Sequence, residues 1–272
     1  MSSDSLYAWT SPSDVDSETW TIIQPLLQCA HPRGRPFTYS LRAIYDGIQY
    51  VLRGGIPWRM LPGHYPPWPV IYYHFRRWSD RGVWERAMTT LRRALREALG
   101  RSAEPTAGVI DSQSVETGPK GGAVGNDPGK KVRGRKRHIV TDTEGFPIAV
   151  TVTPANVQDP LAATEILEEV MEKVPTLQKV WADRRYVGKL LERISQKLGI
   201  AVEVVAPDPT TKGFAVLPRR WVIERTFAWL GRYRRLARDW EAASWSVIGM
   251  LCAAITRIFA NRLVKMRKRG IT

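Results

Sequence analysis

The stretch GVIDSQSV (residues 108–115) marks a change of periodicity in this 272-residue chain. Before it, apolar residues recur at helical spacing. From it onward they come in short β-branched runs bounded by Gly, Pro and Asp, as strands do. RHIVTDT (137–143), PIAVTVTPA (147–155), LQKVWAD (177–183) and AVEVVAP (201–207) continue the pattern, and Glu144-Gly145 between the first two reads as a hairpin turn. The amphipathic runs AATEILEEVMEKV (162–174) and KLLERISQKLG (189–199) read as helices between the later strands. Strand, strand, strand, helix, strand, helix, strand, helix predicts an α/β fold: a mixed sheet with helices on its faces.

That order is the order of the RNase H fold. Three acids fall at telling places in it: Asp111 in VIDSQS, Asp183 in KVWADRRYVG and Glu224 in RRWVIERTFAWLGRYRRL. The first two follow short apolar runs, as at strand tips, and the third sits on an Arg- and Trp-rich helix. Three carboxylates from separate elements form an oxygen-only donor set, which suits two hard divalent cations such as Mg2+. Each acid also has an ordinary reading. Asp111 could cap a strand end, Asp183 could pair with Arg184 or Arg185, and Glu224 with Arg220 or Arg225.

Composition names the partner class. A net charge of +15 and a pI near 10.2 favour a polyanion, and 43% apolar residues with 11 Trp supply an ample core. No uninterrupted apolar run of about 18 residues occurs. The most apolar stretch, Val247 to Ala260, is broken by Thr256 and Arg257, so no membrane role is expected. The start, MSSDSLYAWTSPSD, lacks a basic and then apolar leader. Cys29 and Cys252 are the only cysteines, which excludes a Cys-ligated zinc and suggests buried thiols in a reducing, cytoplasmic setting.

The first hundred residues read as helical. Asp16 or Ser17 caps a helix through Trp20, Ile23 and Leu26 that contains Pro25, and HPRGRP (31–36) is a basic connector. Leu41, Ile44, Tyr45, Ile48, Val51 and Leu52 lie at helical spacing up to Gly54-Gly55. Five prolines make 56–69 irregular, and 70–100 reads as two helices broken near Asp80 to Gly82. RSAEPTAG (101–108) looks like a linker. Two units are therefore expected: 1–100, all-helical and DNA-binding, and 101–272, the α/β part. Arg76 and Arg77, beside Tyr72, Tyr73 and His74, suit a helix-turn-helix recognition element, with Trp68, Phe75, Trp78 and Trp84 as its core. A helical dimerisation module is the other reading of this segment.

The basic run Lys130, Lys131, Arg133, Arg135, Lys136 and Arg137 suggests phosphate contacts, against the plainer reading of a solvated charge cluster. Arg220, Arg232, Arg234 and Arg235 add further cations to the helix that carries Glu224, with Phe227, Trp229, Tyr233 and Trp240 among them; the aromatics suit core packing as well as base stacking. His138, alone at a strand start, reads as structural.

With these blocks in order, the chain resembles the DDE transposases of bacterial insertion sequences. They are Gly34-Arg35-Pro36, Trp58 to Pro62, Phe75 to Trp78, IDSQSV, GKKVRGRKRHIVTDTEG, TPANVQD, WADRRYVG and RRWVIERTFAWLGRYRRL, spread over roughly residues 16 to 262. The resemblance implies an RNase H-like catalytic domain after a helical DNA-binding domain. It assigns Asp111, Asp183 and Glu224 as the catalytic, metal-binding triad. It further implies two Mg2+ ions (with Mn2+ as a substitute), double-stranded element-end and target DNA as partners, and a homo-oligomer on DNA. Within the signature of related enzymes Arg220 precedes Glu224 at the expected spacing, while Leu217 and Gly231 stand at the Tyr and Lys positions. A nuclease of the same fold that cuts without joining, and a DNA-binding protein whose catalysis has lapsed, stay open at this point.

Overall fold

The computed structural model describes residues 11–27, 38–119, 121–186, 189–205 and 220–271. Cys29, the Gly34-Arg35-Pro36 block and Leu217 lie outside them. Strand β1 (Ala107–Glu116) pairs antiparallel with β3 (Val132–Asp142), which carries β4 (Pro147–Pro154) and the short β2 (Gly125–Asp127) on its far side. On the other side β1 pairs parallel with β5 (Lys179–Ala182), and β5 with β6 (Ala201–Val204). The resulting order, β4-β3-β1-β5-β6 with the first three antiparallel, is RNase H-like, as expected.

The β3–β4 hairpin turns where Glu144-Gly145 predicts. Gly145 takes φ +74°, and one carboxylate oxygen of Asp142 accepts the N–H groups of Glu144 and Phe146, both at 2.9 Å. Alternation along the strands then builds two cores. Val109 and Ile139 face helix α9 (Ser244–Lys268), while Ile110 and Val140 face α5 (Asp159–Lys173) and α6 (Lys189–Leu198).

The N-terminal helices are α1 (Ser17–Leu27), α2 (Leu41–Gly54), α3 (Trp68–Asp80) and α4 (Val83–Ala98). Their ends follow local chemistry: the Asp16 carboxylate accepts the Thr19 N–H at 2.8 Å, and Gly55 closes α2 in the left-handed region. Phe75, Trp78 and Trp84 are buried as expected, whereas Trp68 is half-buried under the Arg59 guanidinium. The linker expectation at 101–108 is corrected. Two buried arginines of α4 need acceptors, and they take the Ala103 and Ser102 carbonyls and the Glu104 carboxylate, pinning the segment down.

Helix α9 is long and apolar enough to cross a membrane, a length that Thr256 and Arg257 hide in the sequence. Yet 78% of its apolar window is buried inside the molecule. It packs against α1, α3, α4 and the sheet, so one apolar cluster spans residues on both sides of position 100.

Candidate active site

The parallel pairing of β1 and β5 sets Val109 opposite Trp181; two residues further on, the same register sets Asp111 opposite Asp183, just past the end of β5. Both side chains share the sheet face that carries Val109 and Trp181. Helix α7 (Trp221–Leu230) covers that face and starts at Arg220. The Arg220 guanidinium stands 3.8 Å from an Asp111 oxygen and 3.9 Å from an Asp183 oxygen, with all three side chains 15–18% exposed. These distances exceed hydrogen-bond length, and the buried Arg220 Nε has no hydrogen-bond partner among the described residues. Arg220 therefore balances two acids without being bonded to either. The Asp111 carboxyl is pushed up to about 6, chiefly because burial strips its hydration, with Asp183 adding to the shift and Arg220 and the Ser112 N–H opposing it.

Lys130 completes the rim. Its ammonium donates to the Ser112 carbonyl at 3.1 Å, and burial together with the Arg185 charge lowers its pKa. On the other flank, Asp183 accepts the Arg185 N–H at 2.8 Å, which fixes its turn.

Glu224 lies one helical turn after Arg220 and is exposed. Among the described residues, no three His, Cys, Asp or Glu side chains are grouped as a metal would need. The structure thus brings Asp111 and Asp183 together and leaves Glu224 apart from them. Even so, the pair suits a hard cation: both donors are carboxylate oxygens, one is destabilised by burial, and a cationic group already faces both.

The basic run divides. Arg135, Lys136 and Arg137 are at most 5% exposed, which corrects their expected role on phosphate. β3 is an interior strand covered on both faces, so each cation is satisfied inside. Arg135 pairs with Asp239 at 2.8 Å, Lys136 with Asp159 at 3.1 Å, and Arg137 donates to the Leu236 carbonyl at 2.7 Å. Arg235 is likewise buried against Glu241 at 2.7 Å and is withdrawn for the same reason. Lys131, Arg133, Arg232 and Arg234 are exposed, as is Arg76, paired with Asp80 at 3.4 Å. Arg77 donates to the Tyr73 hydroxyl at 2.8 Å on the outer side of α3.

A buried polar cluster behind Asp111 was not foreseen. The Ser112 hydroxyl donates to Asp159 at 3.0 Å, Lys136 donates to the Val157 carbonyl at 2.9 Å as well as pairing with Asp159, and His138 meets the Thr153 hydroxyl at 3.0 Å. Burial lowers the His138 pKa to about 4, which leaves it neutral and structural, as its position suggests. The blocks IDSQSV, GRKRH and TPANVQD all contribute, and their shared polarity in apolar surroundings was the signal.

A family model described as "Transposase DDE domain" matches residues 102–257, more than half of the chain. The chain belongs to the DDE transposase family. A second model, "Putative transposase of IS4/5 family", matches residues 15–88 of this DDE transposase family member. Two relatives come from Burkholderia cepacia. The "Putative transposase for insertion sequence element IS402" is 34% identical over 49% of this chain and 64% of its own length, so the chain spans less than two thirds of that relative. The "Insertion element IS402 uncharacterized 16.2 kDa protein" is 33% identical over 42% of this chain and 80% of its own. A solved structure, "Crystal structure of the Mos1 Strand Transfer Complex", aligns at 11% identity over 88% of this chain and 80% of that one. Its TM-score of 0.31 is too low to bear on the fold.

Proposed function

We propose that this DDE transposase cleaves the ends of its own insertion sequence and joins the freed 3′-OH to target DNA. One observation carries this reading: two carboxylates, one on β1 and one just past the parallel β5, share a guanidinium that is hydrogen-bonded to neither, in a chain of charge +15. Asp111 and Asp183, joined by Glu224 as the family resemblance assigns, would hold two divalent cations, Mg2+ by preference. When bound, such cations supply an activated water and stabilise the leaving 3′-oxygen.

The chain's own groups do the rest. Lys130 and Arg220 stand beside the acids, where they attract and orient a phosphodiester. The half-buried setting strengthens these charges relative to water. Arg220 can pass from the acids to the phosphate, because no hydrogen bond ties it to them. Once a 3′-OH is freed, it takes the place of water as nucleophile on a second strand, and no covalent protein intermediate is needed. Duplex DNA and a homo-oligomer on it are the partners this reading requires.

The test is cleavage and strand transfer on element-end DNA in magnesium. Asp111→Asn, Asp183→Asn and Glu224→Gln should each lower cleavage by several orders of magnitude, on the order of 10³-fold or more, without weakening DNA binding. The losses should be non-additive, since the acids act as one unit. A variant that cuts at the unmodified rate removes its residue from the catalytic set. An unmodified chain that binds but never cuts overturns the reading.

A further inference from the structure

Beyond α7, on the side away from the acids, lies a cleft of about 550 Å³ between the end of that helix and the C-terminal half of α9. Arg53, Arg232, Arg262, Lys265 and Arg269 line it, with Trp229 on its wall, and none of the lining residues is acidic. We propose that this cleft binds the phosphodiester backbone of duplex DNA flanking the reacting phosphate. The inference rests on the transposase reading and adds a second contact surface to it.

Charge bookkeeping within the fold separates this cleft from the other basic regions. Arg135, Lys136 and Arg235 are each neutralised by a buried acid. No ion pair joins the five cleft cations to an acid among the described residues. They come from α2, α9 and the turn after α7, so the dipole of one helix end explains only part of the cluster. Trp229 lies between two guanidiniums, Arg225 at 5.0 Å and Arg262 at 5.1 Å, and Arg262 also lies over Phe146 at 5.2 Å. Stacking engages the face of the Arg262 guanidinium and leaves its N–H edges to meet phosphate oxygens, whereas Arg225 donates to the Glu144 carbonyl. Burial lowers the Arg262 pKa against the weaker opposing pull of Glu144 and Asp142, and a bound anion relieves that cost.

Geometry links the cleft to the site. Helix α7 runs from Arg220 to the cleft over ten residues, roughly 15 Å. At about 3.4 Å per base pair, that places the cleft roughly four base pairs from the reacting phosphate.

The test replaces two exposed cations, Lys265→Glu with Arg269→Glu, and measures binding of duplex DNA by fluorescence anisotropy over a salt series. The control, Arg193→Glu with Lys197→Glu on α6, makes the same charge change on the opposite face of the sheet. The cleft variant should bind about 10- to 100-fold more weakly near 0.1 M salt, with a salt slope reduced by about two units. Ethylation interference should lose its signal roughly four nucleotides from the cleavage point, while the control keeps both slope and signal. Circular dichroism of both variants excludes unfolding as the cause. If the cleft variant keeps the unmodified slope, or the control loses as much, the cleft is not a DNA path and the catalytic reading stands. If the unmodified chain binds no DNA, the transposase reading fails and takes this inference with it.

Discussion

Arg220 stands where two acids need a positive charge, so its removal should be felt before any reaction occurs. In Arg220→Ala, Asp111 and Asp183 lose the cation they share, and Lys130 is left to offset Asp111. We expect a loss on the order of 1 kcal/mol, discounted for their partial exposure. Millimolar Mg2+ should restore the melting temperature in the variant and change the unmodified chain less. Equal melting temperatures with and without Mg2+ in both proteins would show that the pair holds no cation. A second acid reports on pH. Asp46 on α2 is buried, accepts the Val15 N–H at 2.8 Å, and is pushed up to about 7, mainly by desolvation. Between its ordinary value of 3.8 and about 7 the folded state holds a proton that the unfolded chain has released. Stability therefore falls as pH rises through that window, by up to about 4 kcal/mol from this one group. Asp46→Asn carries no such proton. Urea unfolding at pH 5 and pH 8 should show the fall in the unmodified chain and a much smaller one in the variant.

Helix α7 owes its placement to a turn. The Arg225 guanidinium donates to the Glu144 carbonyl at 2.6 Å, and the Thr226 hydroxyl to the Gly145 carbonyl at 2.5 Å, so the β3–β4 hairpin grips the helix that carries Arg220 and Glu224. A Cβ at Gly145 would lie 2.7 Å from the Val222 carbonyl oxygen at a φ that side chains avoid. Gly145→Ala should cost about 1–3 kcal/mol and lower cleavage more than DNA binding, as measured by denaturant unfolding and paired activity assays. Unchanged cleavage at reduced stability would show that α7 keeps its place without the turn. This grip also marks how far the sequence could be read. Glu144-Gly145 announced the hairpin, and the short β-branched run at Val109 and Ile110 announced a strand, because turn chemistry and β-branched runs are local. The meeting of Asp111 with Asp183 follows from a parallel register that no local pattern encodes, and only the motif order pointed to it. The β3 cations misled for a related reason: a charged strand looks solvated until the acids Asp159 and Asp239, distant in sequence, are seen to meet it.

Across the whole molecule, α9 is the element on which the others depend. Residues of α1, α2, α3 and α4 share one apolar cluster with α9 and a face of the sheet. A fragment beginning at about residue 101 would leave Val247, Leu251, Ile255 and Phe259 without part of their cover. It should aggregate or bind hydrophobic dyes, whereas the full chain unfolds in one transition. A soluble, singly melting fragment would show two separable units, as the change of periodicity near residue 100 suggests. The position of α9 also orders events during synthesis. Chains are made from the N-terminus, so α1 to α4 and the strand bearing Asp111 leave the ribosome well before the helix that seals them. Until α9 emerges, the nascent polypeptide has no finished cleft and no settled sheet face, so the acid pair and the basic cleft are completed only once that helix is in place.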